Sequence, residues 1–326
     1  MRTPTRVAGT LAGTMLGGVL VFAGCGAGNE ETPAGVVETE LTPAPTAIPT
    51  PFPTATPGSA GGGTAHTNGL SCDERHLAED RLTEAIEEVL TDYDGTWGFA
   101  LIDLECEHVV SIHPDYAQYP ASAAKIVSVV AAMRAVEAGD ADLEEVDELV
   151  HLVMQHSLDY AADALEEYVE PDDLDQVLVD AGASEEAAMN GSWSWASMTA
   201  EDLAGVWSGI VEGTLVDDFG REYLLELAGM TEVPEVYETF PTGEFPVPGF
   251  DYGQKAGYYV VDGVPYYFAG GGYLVSHVGS ERFTFGLLMK TRNRDLWDEQ
   301  RRQVFPQILA HIAAVTGDAS VVSAGG

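Results

Sequence analysis

The chain has 326 residues, enough for one large domain with tails or two small ones, and ample to bury a hydrophobic core. Its 53 acidic residues against 14 basic ones give a formal charge of -39, so the solvated surface is strongly negative. That excludes nucleic acid as a partner and electrostatic docking on anionic lipid headgroups, leaving insertion or a covalent lipid as routes to a membrane. Lysine occurs only at positions 125, 255 and 290, in a chain that otherwise takes its positive charge from arginine.

Arg2 and Arg6 precede an apolar and glycine-rich run from Val7 to Phe22, too short for a comfortable membrane span, which ends in Phe22-Ala23-Gly24-Cys25. This resembles a bacterial lipoprotein signal, in which the cysteine at the cleavage point becomes the lipidated first residue. Phe22 departs from that pattern, where leucine is more usual. The alternative is an ordinary secretory signal with a chance cysteine; both readings export the protein, and the first places it on the extracytoplasmic face of the cell membrane. From Gly26 to about Gly69 the chain turns to threonine, proline, alanine and glycine. Such a segment cannot repay its ordering entropy and reads as a disordered polyproline-type tether, with an O-glycosylated stalk or a proline-motif ligand as alternatives. The expected organisation is a signal over 1–25, a tether over 26–70, one folded domain over 71–316 and a disordered tail over 317–326.

Within the domain, Ala78, Leu82, Ile86, Val89 and Tyr93 are spaced for a helix that begins just after Cys72 and stops at Gly95. Trp97 to Leu104 reads as a strand. Both elements span about 25 to 30 Å, so an antiparallel return brings Cys106 beside Cys72, and an oxidising compartment then favours a disulfide over two free thiols. Val109 to Ile112 pairs as a second strand. A helix is expected from Pro120 to Gly139, with Ile126, Val129, Val130, Met133 and Val136 as its buried stripe. Shorter helices follow over Leu143–Gln155, Tyr160–Val169 (stopped by Pro171), Leu174–Ala181 and Ala200–Val211, the last with Thr199 as N-cap and Asp202 at N3. After a proline-rich loop from Val233 to Phe250, β-type runs appear at Ala256–Val261, Tyr266–His277 and Phe283–Lys290. A final helix over Asp295–Val315 points Trp297, Phe305, Ile308, Leu309 and Ile312 inward. This order implies an α+β fold: an antiparallel sheet built from both chain ends, with helices covering it and a helical block in the middle.

Three places carry chemistry. In Ser122-Ala123-Ala124-Lys125, Pro120 suits the first helical position, so Ser122 falls in the first turn, where unpaired N–H groups favour an oxyanion. Lys125 lies one turn on and is a candidate base for the hydroxyl. Ser157-Leu158-Asp159 lies at a junction between two helices, and Lys255-Ala256-Gly257 at the start of a β-run. In this order the three resemble S-x-x-K, S-D-N and K-T-G, the motifs of the class A β-lactamases and DD-peptidases, the penicillin-recognising serine enzymes. Two of the three lysines fall where that family needs lysine, and the resemblance spans Cys72 to Val315.

The resemblance implies acyl transfer on β-lactams or cell-wall peptides by a monomer without a cofactor. Ser122 would be the acylated nucleophile and Lys125 its base or proton relay. Ser157 would pass the proton to the leaving amine, and Lys255 would tune it and attract a substrate carboxylate. The backbone N–H groups of Ser122 and Tyr258 would form the oxyanion hole, beside Gly257. Three departures stand out. Asp159 replaces an asparagine and cannot donate a hydrogen bond when ionised. Ala256 replaces a hydroxyl. Between Gly182 and Thr199, where class A β-lactamases carry a water-activating glutamate, only the adjacent Glu185 and Glu186 offer one, and they read as solvated charge. A catalytically inactive envelope-binding lipoprotein on the same scaffold is therefore the competing reading.

The remaining features have structural explanations. No histidine pair has metal-type spacing, so no metal is expected; Gly270-Gly271-Gly272 suggests a bulge or close strand packing. The acidic runs Asp140–Glu148 and Glu166–Asp175 read as solvated helix faces, and Trp193 and Trp195 as core or rim packing.

Overall fold

The computed structural model describes residues 71–91, 93–229, 250–261, 265–277 and 280–293, with helical positions between 304 and 315. The signal, the tether, Cys25, most of the Val233–Phe250 loop, Trp297, Phe305, Leu309 and the tail lie outside the described residues.

Five strands make one antiparallel sheet in the order β2-β1-β5-β4-β3: β1 (Gly95–Asp103), β2 (His108–Ile112), β3 (Phe250–Tyr259), β4 (Tyr266–Ser276) and β5 (Arg282–Thr291). Strands from the chain's two ends meet where β1 pairs with β5, as the sequence implies. One face packs Phe99, Leu101, Phe283, Phe285 and Leu287 against α1 (Cys72–Leu90) and the helical positions Val304, Ile308, Ile312 and Val315. The other packs Ala100, Ala269 and Leu288 into a larger core shared with the central helices.

α1 begins with a capping box, Ser71 and Glu74 each satisfying the other's backbone N–H, and buries Ala78, Leu82 and Ile86. The Cys72–Cys106 disulfide ties its start to the β1–β2 turn. Closing a loop of this length contributes about 3 to 4 kcal/mol. Arg75, buried on the same turn of helix, reinforces the junction through ion pairs to Asp103 at 3.0 Å and Glu105 at 3.1 Å.

The middle block consists of α2 (Lys125–Ala138), α3 (Leu143–His156), α4 (Asp159–Glu166), α5 (Pro171–Asp180), α6 (Ala200–Glu212) and α7 (Asp218–Gly229). α6 carries the expected Thr199 cap with Asp202 answering it. It lies against the sheet where Gly271 and Gly286 face each other across β4 and β5: a Cβ on Gly286 would come within 2.0 Å of the Ala200 carbonyl oxygen, and one on Gly271 within 2.6 Å of Leu203. Both strand registers run without interruption, so the glycine triplet serves close packing and makes no bulge.

Four expectations need correction. The segment from Pro120 is not one helix, because Ala121 adopts φ +49° and Ala121–Ala124 form a 3-10 turn before α2 starts at Lys125. Pro171 does not merely stop α4; it opens α5 at N1, inside a Glu170/Asp173 capping box. β3 begins at Phe250, which puts Lys255 mid-strand rather than at the start of the run. α7, to which the sequence reading assigns no element, buries Leu224, Leu227 and Ala228 at helical spacing.

Candidate active site

Ser122 sits in the 3-10 turn with Ala121, Ala123 and Ala124 buried around it while it stays half-buried at the surface of the turn. The left-handed backbone of Ala121 just before it is unusual for a residue with a Cβ and costs about 1–2 kcal/mol, a strain characteristic of functional sites. β3 lies directly on this turn. A Cβ on Gly257 would fall 2.6 Å from the Ser122 nitrogen and 2.3 Å from that of Ala123. Glycine is therefore required there, and the close approach brings the backbone at Gly257-Tyr258 up to the turn carrying Ser122.

The two remaining motifs converge on the same place. Lys125, fully buried, donates from Nζ to the Ser157 carbonyl oxygen at 2.7 Å and to Asp159 Oδ1 at 2.5 Å. Lys255, also fully buried, donates to Ser157 Oγ at 2.7 Å and to the Ala256 carbonyl oxygen at 3.3 Å. Ser157 thus bridges the two lysines, one through its carbonyl and the other through its hydroxyl. It can do so because it caps α3 in the left-handed conformation, φ 57°, where a glycine would be the unstrained choice. Ala256 is buried and offers no hydroxyl, as its sequence dictates.

Burial draws the Lys125 amine below the usual lysine range, against an opposing pull from Asp159. For Lys255, burial and the neighbouring Lys125 act in the same direction and hold its pKa well below the ordinary value. An amine in this setting is accessible as a free base, the form a proton acceptor needs. Lys125 forms no hydrogen bond to Ser122 in this structure; its donors are directed to Ser157 and Asp159.

A supporting layer escaped the sequence reading. The Trp193 ring packs 4.3 Å from Lys125 Nζ, its indole N–H donates to Asp163 at 2.9 Å, and its backbone N–H donates to Glu166 at 2.8 Å. Ser128 of α2 donates to the same Glu166 oxygen at 2.7 Å. Glu166 is therefore an anchor for the loop over Lys125, not part of a solvated face, whereas Trp195 is exposed. Asp175, which accepts from the Met189 N–H, and Asp147, which accepts from the Tyr223 hydroxyl, likewise leave the solvated-face reading. Ser157 in a glycine-preferring position was a usable signal for the strained cap. Nothing in the loop's composition pointed to Trp193 over Trp195.

On the other flank Tyr119, immediately before Pro120, packs edge-on against Tyr259 and Tyr267, each with ring centroids 6.0 Å away. Burial, with the charge of Asp159 adding to it, pushes the Tyr119 phenol up to about 12. Lys290, the third lysine, lies 5.2 Å from the Tyr267 ring centre. Glu185 and Glu186 are exposed on their loop. Among the described residues no group of three or more His, Cys, Asp or Glu side chains is arranged to hold a metal ion.

Comparison with known proteins gives the same picture. The model of the β-lactamase enzyme family matches residues 81–146, the segment containing Ser122 and Lys125. No curated protein matches the chain in sequence. Among solved structures, a β-lactamase from Sphaerobacter thermophilus is 16% identical, with 71% of this chain and 97% of that one covered at a TM-score of 0.58. A β-lactamase from Xanthomonas campestris is also 16% identical, with 72% and 98% covered and a TM-score of 0.60. An acyl-enzyme complex of PBP-A with penicillin G shows 16% identity, 72% and 96% coverage and a TM-score of 0.55. The chain thus shares the fold of these structures, and the β-lactamase enzyme family model matches it over the segment that carries Ser122 and Lys125.

Proposed function

We propose that the protein is an exported, lipid-anchored serine hydrolase that takes an acyl group from β-lactams or cell-wall peptides onto Ser122. The observation that carries this reading is the chain of bonds Asp159–Lys125–Ser157–Lys255, assembled from α4, α2, the end of α3 and β3 beside the strained turn that holds Ser122. In the acylation step the Ser122 Oγ proton passes to the free amine of Lys125 as the Oγ–carbonyl carbon bond forms. The backbone N–H groups of Ser122 and Tyr258 receive the oxyanion. The carbon–nitrogen bond then breaks, Ser157 giving its proton to the leaving nitrogen and regaining one from Lys125. Lys255 keeps the Ser157 hydroxyl oriented and supplies positive charge for a substrate carboxylate. Water completes the cycle by cleaving the ester and restoring the Ser122 hydroxyl. The exposed Glu185 and Glu186 are poor candidates to activate that water, so the acyl-enzyme is expected to be long-lived.

The signal ending at Cys25 and the proline-rich segment after it support a domain held at the extracytoplasmic face by a lipid and a spacer. The test of the catalytic reading is intact mass after incubation with benzylpenicillin, followed by peptide mapping. The adduct should map to Ser122 and vanish in Ser122→Ala, with the variant still folded. Labelling that survives in Ser122→Ala would refute this assignment.

A further inference from the structure

We propose that Asp159 makes this site select acyl donors that carry a cationic nitrogen, an ammonium or amidinium, next to the scissile carbonyl, over donors that carry a neutral acylamide there. This rests on the acylation of Ser122 proposed above. Lys255 and the Ser157 hydroxyl define the leaving-nitrogen side of the site, so the acyl half of the substrate extends the other way, past Lys125 and towards Asp159. Asp159 gives only Oδ1 to Lys125. Its side chain is 72% exposed although the lysine it holds is fully buried, so the second oxygen is open to solvent and to a bound substrate. A carboxylate oxygen can only accept, and the group opposite it must donate. An acylamide turns a carbonyl oxygen or a single neutral N–H to such a partner, whereas an amidinium or ammonium brings several donors and a compensating charge.

Two further features favour a cation here. Tyr119, close enough to Asp159 for that charge to act on its phenol, stays neutral and joins Tyr259 in an aromatic flank of the kind that attracts cations through ring faces. The second feature is the protonation state that chemistry requires. When Lys125 becomes the free base that accepts the Ser122 proton, Asp159 loses its charge partner, and a substrate cation replaces it. The same cation disfavours reprotonation of Lys125, so a donor of this class also helps generate the base that attacks with it. With a neutral acylamide in place, Asp159 instead holds the proton on Lys125.

The experiment compares the second-order acylation rates of an amidinopenicillin and of benzylpenicillin, read by intact mass, in the wild type and in Asp159→Asn. The amidinopenicillin should react faster with the wild type. The ratio should fall by roughly 10-fold to 100-fold in the variant, the range set by one charge-assisted hydrogen bond. An unchanged ratio in Asp159→Asn would overturn the selectivity while leaving acylation intact. A second measurement needs no variant: the wild-type preference should shrink as salt is raised from about 0.05 M to about 1 M, because the attraction is between partly exposed charges. A preference for benzylpenicillin, or one indifferent to salt, would also overturn the proposal. Absence of an adduct with either compound would instead remove the catalytic reading, and the selectivity with it.

Discussion

Two buried amines define the chemistry at the scale of single residues. Lys255 is fully enclosed, faces another lysine and has Ser157 Oγ as its side-chain partner. A lysine whose pKa is depressed by folding binds its proton more tightly in the unfolded chain, so stability rises as pH climbs towards the unfolded value of about 10.4 and is lost as pH falls. Replacing Lys255 by methionine removes that burden. The Lys255→Met variant should be more stable than wild type by about 1–2 kcal/mol near pH 7 and show a shallower rise of stability with pH. Its acylation should fall to background. Equilibrium urea unfolding at pH 6, 7 and 9 checks the first part; lower stability at pH 7 would mean that the ammonium is better solvated than its burial implies. The lysines and serines of the site were legible in the sequence because each has a chemistry that few other residues share. The left-handed backbone of Ala121 was not, since alanine has no preference for it and the surrounding packing imposes it.

At the scale of elements, the site is a contact between an edge strand and a 3-10 turn. Its tolerance is set by Gly257. A Gly257→Ala substitution puts a methyl into the backbone of Ser122 and Ala123 and must push β3 away from the turn. Overpacking of this kind costs about 1–3 kcal/mol, and it should slow acylation much more than it lowers stability, because the proposed oxyanion donors, the N–H groups of Ser122 and Tyr258, sit on the two parts being separated. Thermal melts beside acylation rates separate the two effects; a rate equal to wild type would show that the strand and turn do not need this spacing. Most elements could be read from apolar periodicity and caps, as the Thr199–Asp202 box at α6 shows. Pro171 reads equally well as a stop and as an N1 residue, and only the capping box across it decides. The break between the 3-10 turn and α2 had no signal in a run of alanines, because it arises from contact with β3, more than 130 residues away in sequence.

For the whole molecule, the formal charge of -39 and the proline-rich segment ahead of the domain describe a strongly acidic unit, whose export and lipid anchoring are part of the function proposed above. Cys25 to serine should release the mature protein from membranes or block its processing, as fractionation and immunoblotting would show; a variant that sediments with membranes like the wild type would contradict the lipid anchor. The joining of the sheet from both chain ends was apparent from the order of elements, and two lysines out of three at motif positions carried the resemblance to the penicillin-recognising serine enzymes. How Trp193, Asp163 and Glu166 close over Lys125 belongs to tertiary packing and could only be seen once α2, α4 and the loop before α6 were placed together.

In the proposed function Ser122 is a working nucleophile whose acyl-enzyme is slow to hydrolyse. Time-resolved intact mass of the folded protein mixed with a severalfold excess of benzylpenicillin addresses it most directly. The expected result is a single adduct of the full penicillin mass that reaches one per chain and persists after the free drug is removed. Rapid loss of the adduct with steady turnover would place an efficient water-activating base in the site, and no adduct at millimolar drug, with the thermal melt unchanged, would mean that Ser122 is not a nucleophile towards β-lactams.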